Sequence, residues 1–477
     1  MSTFSGLNTA YTALVAARQG LNVVGQNIAN VTTEGYTRQR VTASSIGSVA
    51  QVGPLSARVQ VGQGVTVAGI ARLGNVYLDA RVRDSAATSG YWAVRANTMS
   101  SLEASLQEPG GNGLSAQLQE VWAAWQDMGN SPGQAAPAGV LLAESAVLTS
   151  RIASGYQAVD SEWSQLRSEL DGMAIELNDA ASRVADLNGH IRSTLAAGDS
   201  VNELLDQRNL LTTTIAALSG ATVRNLEDGT AEVLIGGNAI VSGDTFRPVT
   251  VVGSLQLAGA AVNKVHLEWV HRPGATAALD GGEIAGALSI LAPANGGKGG
   301  AIAEAANEYN LFAAKLAADV NAVHRQGETA DSTTGAASGL DFFAIDLALP
   351  AALGLSVVPS DVSGIATGKP GTGAYNGENA AAIAMIGTAI DSPDKTWSSF
   401  VTRTGVSART EMQQAVLGEL AATSASSNQL ANASVDLDEE NVNMLTFQVA
   451  YQGAARVMTA IDEMLDTLIN RTGIVGR

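Results

Sequence analysis

The stretch GQNIANVTTEGYTRQR, from Gly25 to Arg40, opens on amides, passes through a Thr-Thr-Glu-Gly turn and ends in an aromatic among basic and amide residues. It matches no common catalytic motif and is too specific for a linker, so its meaning has to come from its surroundings. Just upstream, Leu7, Leu14, Leu21 and Ile28 recur every seven residues, and Ala10, Ala17, Val24 and Val31 follow each by three. That is an a/d seam over nearly four heptads, the period of a supercoiling helix. Gln26, Asn27 and Asn30 fall on its flanks.

The far end of the chain repeats the device. Phe447, Ala450, Ala454, Val457, Ile461, Met464 and Leu468 alternate by three and four, and Leu465 and Ile469 widen the stripe. Asp436, Asp438, Glu439 and Glu440 precede it and Arg471 lies near its end, both with the sign the helix dipole favours. Two such seams invite pairing with each other or with other subunits; the alternative is that each packs on a globular core. A helix of about 25 residues with Ala at half its seam is marginal alone, so both ends are expected to be loosely ordered in a free monomer.

Between the ends, the 477 residues hold core for about three domains. Residues 1–40 form the N-terminal helix and turn. Residues 41–220 begin with short strands and continue as helices, almost unbroken from Gly139 to Ala197, with Trp122 and Trp125 as core anchors. Residues 221–280 read as strands around the hairpin signal EDGT. Residues 281–435 return to helix, with a loop-rich stretch at 328–379 and a break at SPDKTW, and residues 436–477 form the terminal helix. The expected fold is mainly α with β-rich segments: coiled-coil helices at the termini, a long rod-like helical middle and a small β-rich outer portion.

Aromatics are only 4% of the chain against 46% apolar residues, which favours small-residue contacts between long helices. A net charge of −18 argues against a nucleic-acid surface and against anionic membranes. The chain has no cysteine, hence no disulfide, thiolate metal site or Cys nucleophile. No secretory signal peptide and no spanning helix is visible, which fits the cytoplasm or export without a cleaved signal.

Catalytic patterns are missing. There is no GxxxxGK[ST] loop, no HExxH and no GxSxG, and His190, His266, His271 and His324 are scattered. Asp206, near Arg208 in NELLDQRN, reads as an ion pair or packing contact rather than a general acid. Neither enzyme, cofactor nor metal is expected.

NIANVTTEGYTRQR is similar to the N-terminal signature of the axial proteins of the bacterial flagellum, and NVNMLTFQVAYQGAARVMTAIDEMLDTLIN resembles their terminal helix. The interior segments GLSAQLQEVWAAWQDMGNSP, ADLNGHIRSTLAAGDSVNELLDQRNLLTTTIAAL, DGTAEVLIGGNAIVSGD, GGEIAGAL and NEYNLFAAKLAADVNAVHRQG, with VDLDEENVNML, look like the hook-associated protein 1 family. Glu34, where that signature often has Pro, and Asn209, where an acidic residue is usual, depart from it, and PAGVLLAESA lacks an expected arginine.

The resemblance implies a structural subunit of the hook–filament junction on the distal end of the hook; the alternatives are a hook or rod subunit, or an axial component with hydrolase activity. Its implied partners are a ring of like subunits, hook protein on the proximal side, hook-associated protein 3 on the distal side and an export chaperone, with no nucleic acid and no membrane. It implies passage through the flagellar type III channel to the extracellular flagellum. The implied interface comprises Leu7, Leu14, Leu21, Val24, Asn27, Ile28, Asn30, Gly35, Tyr36 and Arg38, with Phe447, Tyr451, Val457, Ile461, Met464, Leu465 and Leu468. Asn30 and Gly35 would end the first helix in turn conformations, and Tyr36 and Arg38 would then touch a neighbour or cap the helix within one chain. The chaperone would cover Val457, Ile461, Leu465 and Leu468.

Overall fold

A computed structural model describes residues 3–47, 62–329, 337–372 and 375–471. The part of the expected strand segment at 48–61 and the last six residues lie outside it. The chain opens with α1 (Thr3–Ala29) and a two-stranded antiparallel ribbon of β1 (Gln39–Ser45) and β2 (Val65–Arg72). Helices α2 (Val76–Ser105), α3 (Leu114–Asn130), α4 (Ala135–Ala197) and α5 (Asn202–Ser219) follow.

The 63 residues of α4 contain no internal break, which at 1.5 Å per residue makes about 95 Å of continuous rod. One stripe carries the core: Leu141, Leu148, Ile152, Val159, Trp163, Leu170, Leu177 and Val184 are fully buried. Gly198, at φ +85°, ends the helix in the left-handed conformation that suits a residue without Cβ.

The β-rich portion sits along the far half of α4. A meander of β3 (Thr222–Asn225), β4 (Ala231–Ile235), β5 (Asn238–Ser242) and β6 (Thr245–Phe246) forms one sheet, and β7 (Val249–Val252) pairs with β8 (His266–Trp269). Asn188, fully buried on α4, fastens the sheet: its amide donates to the carbonyls of Ala231 and Gly243 while its oxygen accepts from Ala231 N at 3.0 Å.

The chain returns through α6 (Gly282–Ile290) and α7 (Ala301–His324). After β9 (Phe343–Ile345), α8 (Ala351–Gly354), β10 (Leu355–Val357) and α9 (Glu378–Ala384) come the long α10 (Pro393–Ala433) and α11 (Leu437–Asp466). The helices break at SPDKTW as expected: α9 ends at Ala384, and α10 starts at Pro393, where Ser392 accepts from Lys395 N and the proline's missing N–H costs nothing. Trp397 then packs on Tyr309, Phe312 and Phe400.

α10 runs back along α2. Arg95 pairs with Glu411, Gly418 lies on the Ser89 backbone and Asp79 accepts from Gln429, so the two helices are antiparallel. They end together beside the N-terminal turn, where Arg38 N donates to the Ala433 carbonyl and Leu73 N to that of Arg38, both at 2.9 Å.

Candidate assembly interface

The quoted N-terminal stretch is the joint between the body and the terminal helices. α1 ends at Ala29; Asn30 turns its amide back to the Gln26 carbonyl, and Gly35 takes φ +77°. The chain then reverses, so that Tyr36, Arg38 and Gln39 lie beside Asn27. Asn27 is buried and uses its whole amide: Oδ1 accepts from Gln39 N and from the Tyr36 hydroxyl, and Nδ2 donates to the Gln39 carbonyl and to Glu440 Oε2.

Arg38 closes the joint on α11. Its Nε donates to Glu440 Oε1 at 2.8 Å, and its two terminal nitrogens grip Glu439 at 2.7 and 2.9 Å. Glu440 is buried while Glu439 is exposed, so the same arginine holds one dry and one wet carboxylate. On the other side Asp206 accepts from Thr37 N and pairs with Arg72, and Glu203 accepts from Gln39. The Tyr36 hydroxyl is pushed up to about 12 by burial and by the nearby charges of Glu203, Asp206 and Glu440. Asp206 thus pairs with Arg72, not with the adjacent Arg208.

Beyond the joint α1 and α11 lie antiparallel on each other. Asn27 meets Glu440; Gly20 faces Phe447, whose ring lies 2.5 Å from where a Gly20 Cβ would be; Gly6 faces Ile461. Each step along α1 is matched by an equal step back along α11, as an unbroken helix pair requires. The seam of α1 faces inward, with Ala10, Ala17 and Val24 buried and Leu7, Leu14, Leu21 and Ile28 half-buried; Val31, past the helix end, is exposed.

The C-terminal seam divides. Phe447, Ile461 and Leu465 are half-buried and Ala454 is buried, whereas Tyr451, Val457, Met464 and Leu468 are exposed. The sequence reading missed a second apolar row on α11, formed by Val442, Leu445 and Val449, which are 62%, 57% and 68% exposed. α1 has its own outer row in Phe4, Tyr11 and Val15. At 100° per residue both rows lie on the faces turned away from the α1–α11 contact. The signal was present, since Val442, Leu445 and Val449 recur at three and four, but it ran beside a stronger stripe.

The family model for the helical domain of the flagellar hook-associated protein FlgK matches residues 99–343, just over half of the chain. The chain belongs to the flagellar hook-associated protein family. The ends match families shared more widely: the flagella basal body rod protein model over residues 7–37, and the C-terminal model of the flagellar basal body rod FlgEFG proteins over 427–471. Flagellar hook-associated protein 1 of Bacillus subtilis (strain 168) is 26% identical over 516 residues, covering 100% of both chains. Its counterpart in Salmonella typhimurium is 26% identical over 347 residues, which are 71% of this chain and 59% of that one. The flagellar hook junction protein FlgK from Burkholderia pseudomallei shares the fold at a TM-score of 0.60 and 13% identity, over 74% of this chain and 99% of that one. In this hook-associated family member the joint thus lies between the family-specific helical body and the ends common to axial proteins.

Proposed function

We infer that the chain is a structural subunit of the bacterial flagellum at the hook–filament junction, assembling by its terminal helices. The observation that carries the assembly mode is the pair of outward apolar rows on α1 and α11, exposed among the described residues. In the assembled junction these rows pack against like subunits in a ring, with hook protein on the proximal side and hook-associated protein 3 on the distal side. The predicted interface residues divide accordingly: Asn27, Tyr36 and Arg38 set the angle of the helix pair within a subunit, while Tyr451, Val457, Met464 and Leu468 face neighbours.

The same helices suit export. α1 lies against α11 and the β1–β2 ribbon, and the pair is fixed to the body chiefly at the Asn27–Arg38–Glu440 joint, so opening that joint frees it before assembly. An export chaperone then covers the C-terminal stripe of Val457, Ile461, Leu465 and Leu468, and the chain passes unfolded through the type III channel to the outside of the cell. Deletion of residues 440–477 abolishes chaperone binding on this reading. The role is mechanical rather than catalytic, and peptidoglycan or casein cleavage by the purified protein would refute that.

The deciding experiment is deletion of the gene, with electron microscopy of the cells and a blot of the medium. Hooks without filaments, and filament subunits lost to the medium, are expected. Missing hooks would place the protein lower, as a hook or rod subunit, and normal filaments would refute the junction role. Restoring the gene as Val449→Asp should leave a folded subunit that fails to join filament to hook.

A further inference from the structure

A cavity of about 260 Å³ lies between α2, α5 and the β3–β4 hairpin, lined by Arg72, Asp79, Arg83, Arg208, Asn209 and Gly229 among apolar side chains. Three guanidinium groups face one carboxylate there, and that carboxylate is engaged: Asp79 accepts from Gln429 at 2.6 Å and has Arg72 at 3.7 Å. Arg72 is itself paired with Asp206. Arg83 and Arg208 have no such partner. Among the described residues neither has a carboxylate at ion-pair distance; Arg83 donates to Asn209 Oδ1 at 3.1 Å, and Arg208 to Asn188 Oδ1 and the Gly229 carbonyl at 3.0 and 2.8 Å.

Both side chains are more than nine-tenths buried, and a buried charge with no carboxylate in direct contact is costly. Burial lowers the pKa of each, and the positive Arg72 beside Arg208 adds to it; Asp79 and Asp84 near Arg83 and Asp228 near Arg208 offset this only in part, and Arg208 comes to about 10. A guanidinium carries five N–H donors in a fixed fork that matches oxyanions. The contacts above use one nitrogen of each, leaving donors for a ligand.

We propose that this cavity binds a small oxyanion of phosphate size between Arg83 and Arg208. Pockets for drug-sized ligands run from about 300 Å³ upward, so the space suits a hydrated ion rather than a nucleotide. The bound ion would supply a counter-charge in direct contact with both arginines and tie α2 to α5 and the β3–β4 turn, directly behind the Arg72–Asp206–Thr37 side of the joint. This site is independent of the junction role.

The test uses the full chain, with inorganic phosphate titrated by calorimetry at constant ionic strength in chloride. Saturable one-site binding below about 10 mM is expected. Asn209→Asp places a carboxylate on Arg83; it should raise the melting temperature without phosphate and weaken phosphate binding about tenfold or more. Arg83→Gln should lose binding without that gain. Phosphate also stabilises proteins non-specifically, but that effect gives no saturable heat and acts alike on wild type and variants. Absence of binding to the wild type, or unchanged affinity in Asn209→Asp, would overturn the proposal, and the latter variant decides the matter even if Arg83→Gln fails to fold.

Discussion

Replacing Arg38 by Met keeps most of the aliphatic stem and removes the charge that joins the N-terminal turn to α11. Two carboxylates lose their partner, and they are not equivalent. Glu439 is 57% exposed, and an exposed pair contributes about 0–1 kcal/mol. Glu440 is 1% exposed, and stranding one member of a buried pair costs about 3–5 kcal/mol. Asn27 Nδ2 still donates to Glu440 at 3.1 Å, which puts the total near the lower end, about 3 kcal/mol.

That free energy acts locally, on the opening of α11 from the joint, and the readout is therefore amide exchange rather than global melting. Amides of Asn441 to Phe447 should exchange about 10²-fold faster in the variant, while those of Leu166 to Leu177 in α4 should not change. Glu440→Gln in the same chain removes the stranded charge and leaves an amide that can still accept from Asn27. The double variant should therefore be protected more than Arg38→Met alone, with a coupling above about 1.5 kcal/mol. Unchanged exchange in Arg38→Met, or strictly additive effects, would mean that the ion pair does not hold the joint.

Gly20→Ala puts a methyl group 2.5 Å from the Phe447 ring; the clash of about 1–3 kcal/mol outweighs a gain of about 1 kcal/mol in helix propensity, and exchange along α1 should speed up. In a Phe447→Ala background the same change should become protective, and a sign that does not flip would refute the register. Trp397→Ala empties a site shared with Tyr309, Phe312 and Phe400 and removes the indole that donates to Glu108, which keeps Ser115 N as a donor; a loss of about 3–5 kcal/mol in urea unfolding is expected. His324 holds its Nδ1 against the Leu340 carbonyl and accepts Ala366 N–H at Nε2, so it folds neutral, and burial keeps its pKa below the ordinary 6.5. Its stabilising contribution is full above that value and is lost as pH falls below it toward the folded pKa. His324→Gln should therefore flatten the fall in melting temperature between about pH 7 and 5, and an unchanged slope would refute the assignment.

The long elements were legible because their signals are local. Heptads at both ends, the proline-free run through α4 and the EDGT turn each report on neighbours a few residues away. The joint was not legible, because its contacts join residues that no periodicity relates. Glu439 and Glu440 read as ordinary acids at a helix start, a role they share with the Asp436 cap, and nothing in the sequence shows that Arg38 reaches them across some four hundred residues. Asn188 and Gln39 were invisible for the same reason, since a buried amide is recognised only by the backbone groups it satisfies. Asp206 was noticed, but sequence proximity suggested Arg208 and the fold supplied Arg72. The C-terminal seam shows a different limit. A helix with apolar rows on two faces gives one broadened stripe, and only packing reveals that Phe447 and Ile461 turn inward while Val457 and Met464 turn out.

These arrangements divide the labour of a junction subunit in a way that follows from range. The outward rows attract only at van der Waals contact, so they select nothing until a neighbour is already aligned. The joint supplies that alignment: hydrogen bonds and one two-carboxylate grip leave the helix pair a single direction relative to α2 and α10. A charge of −18 meanwhile repels free subunits over a screening length of about 8–10 Å, further than the apolar rows can reach. Subunits so built should not collect in solution yet should adhere where an existing end presents several rows at once. The buried Glu440 fits that scheme better than an apolar residue would, because a charge that is satisfied only when Arg38 and Asn27 are in place penalises every other angle of the helix pair.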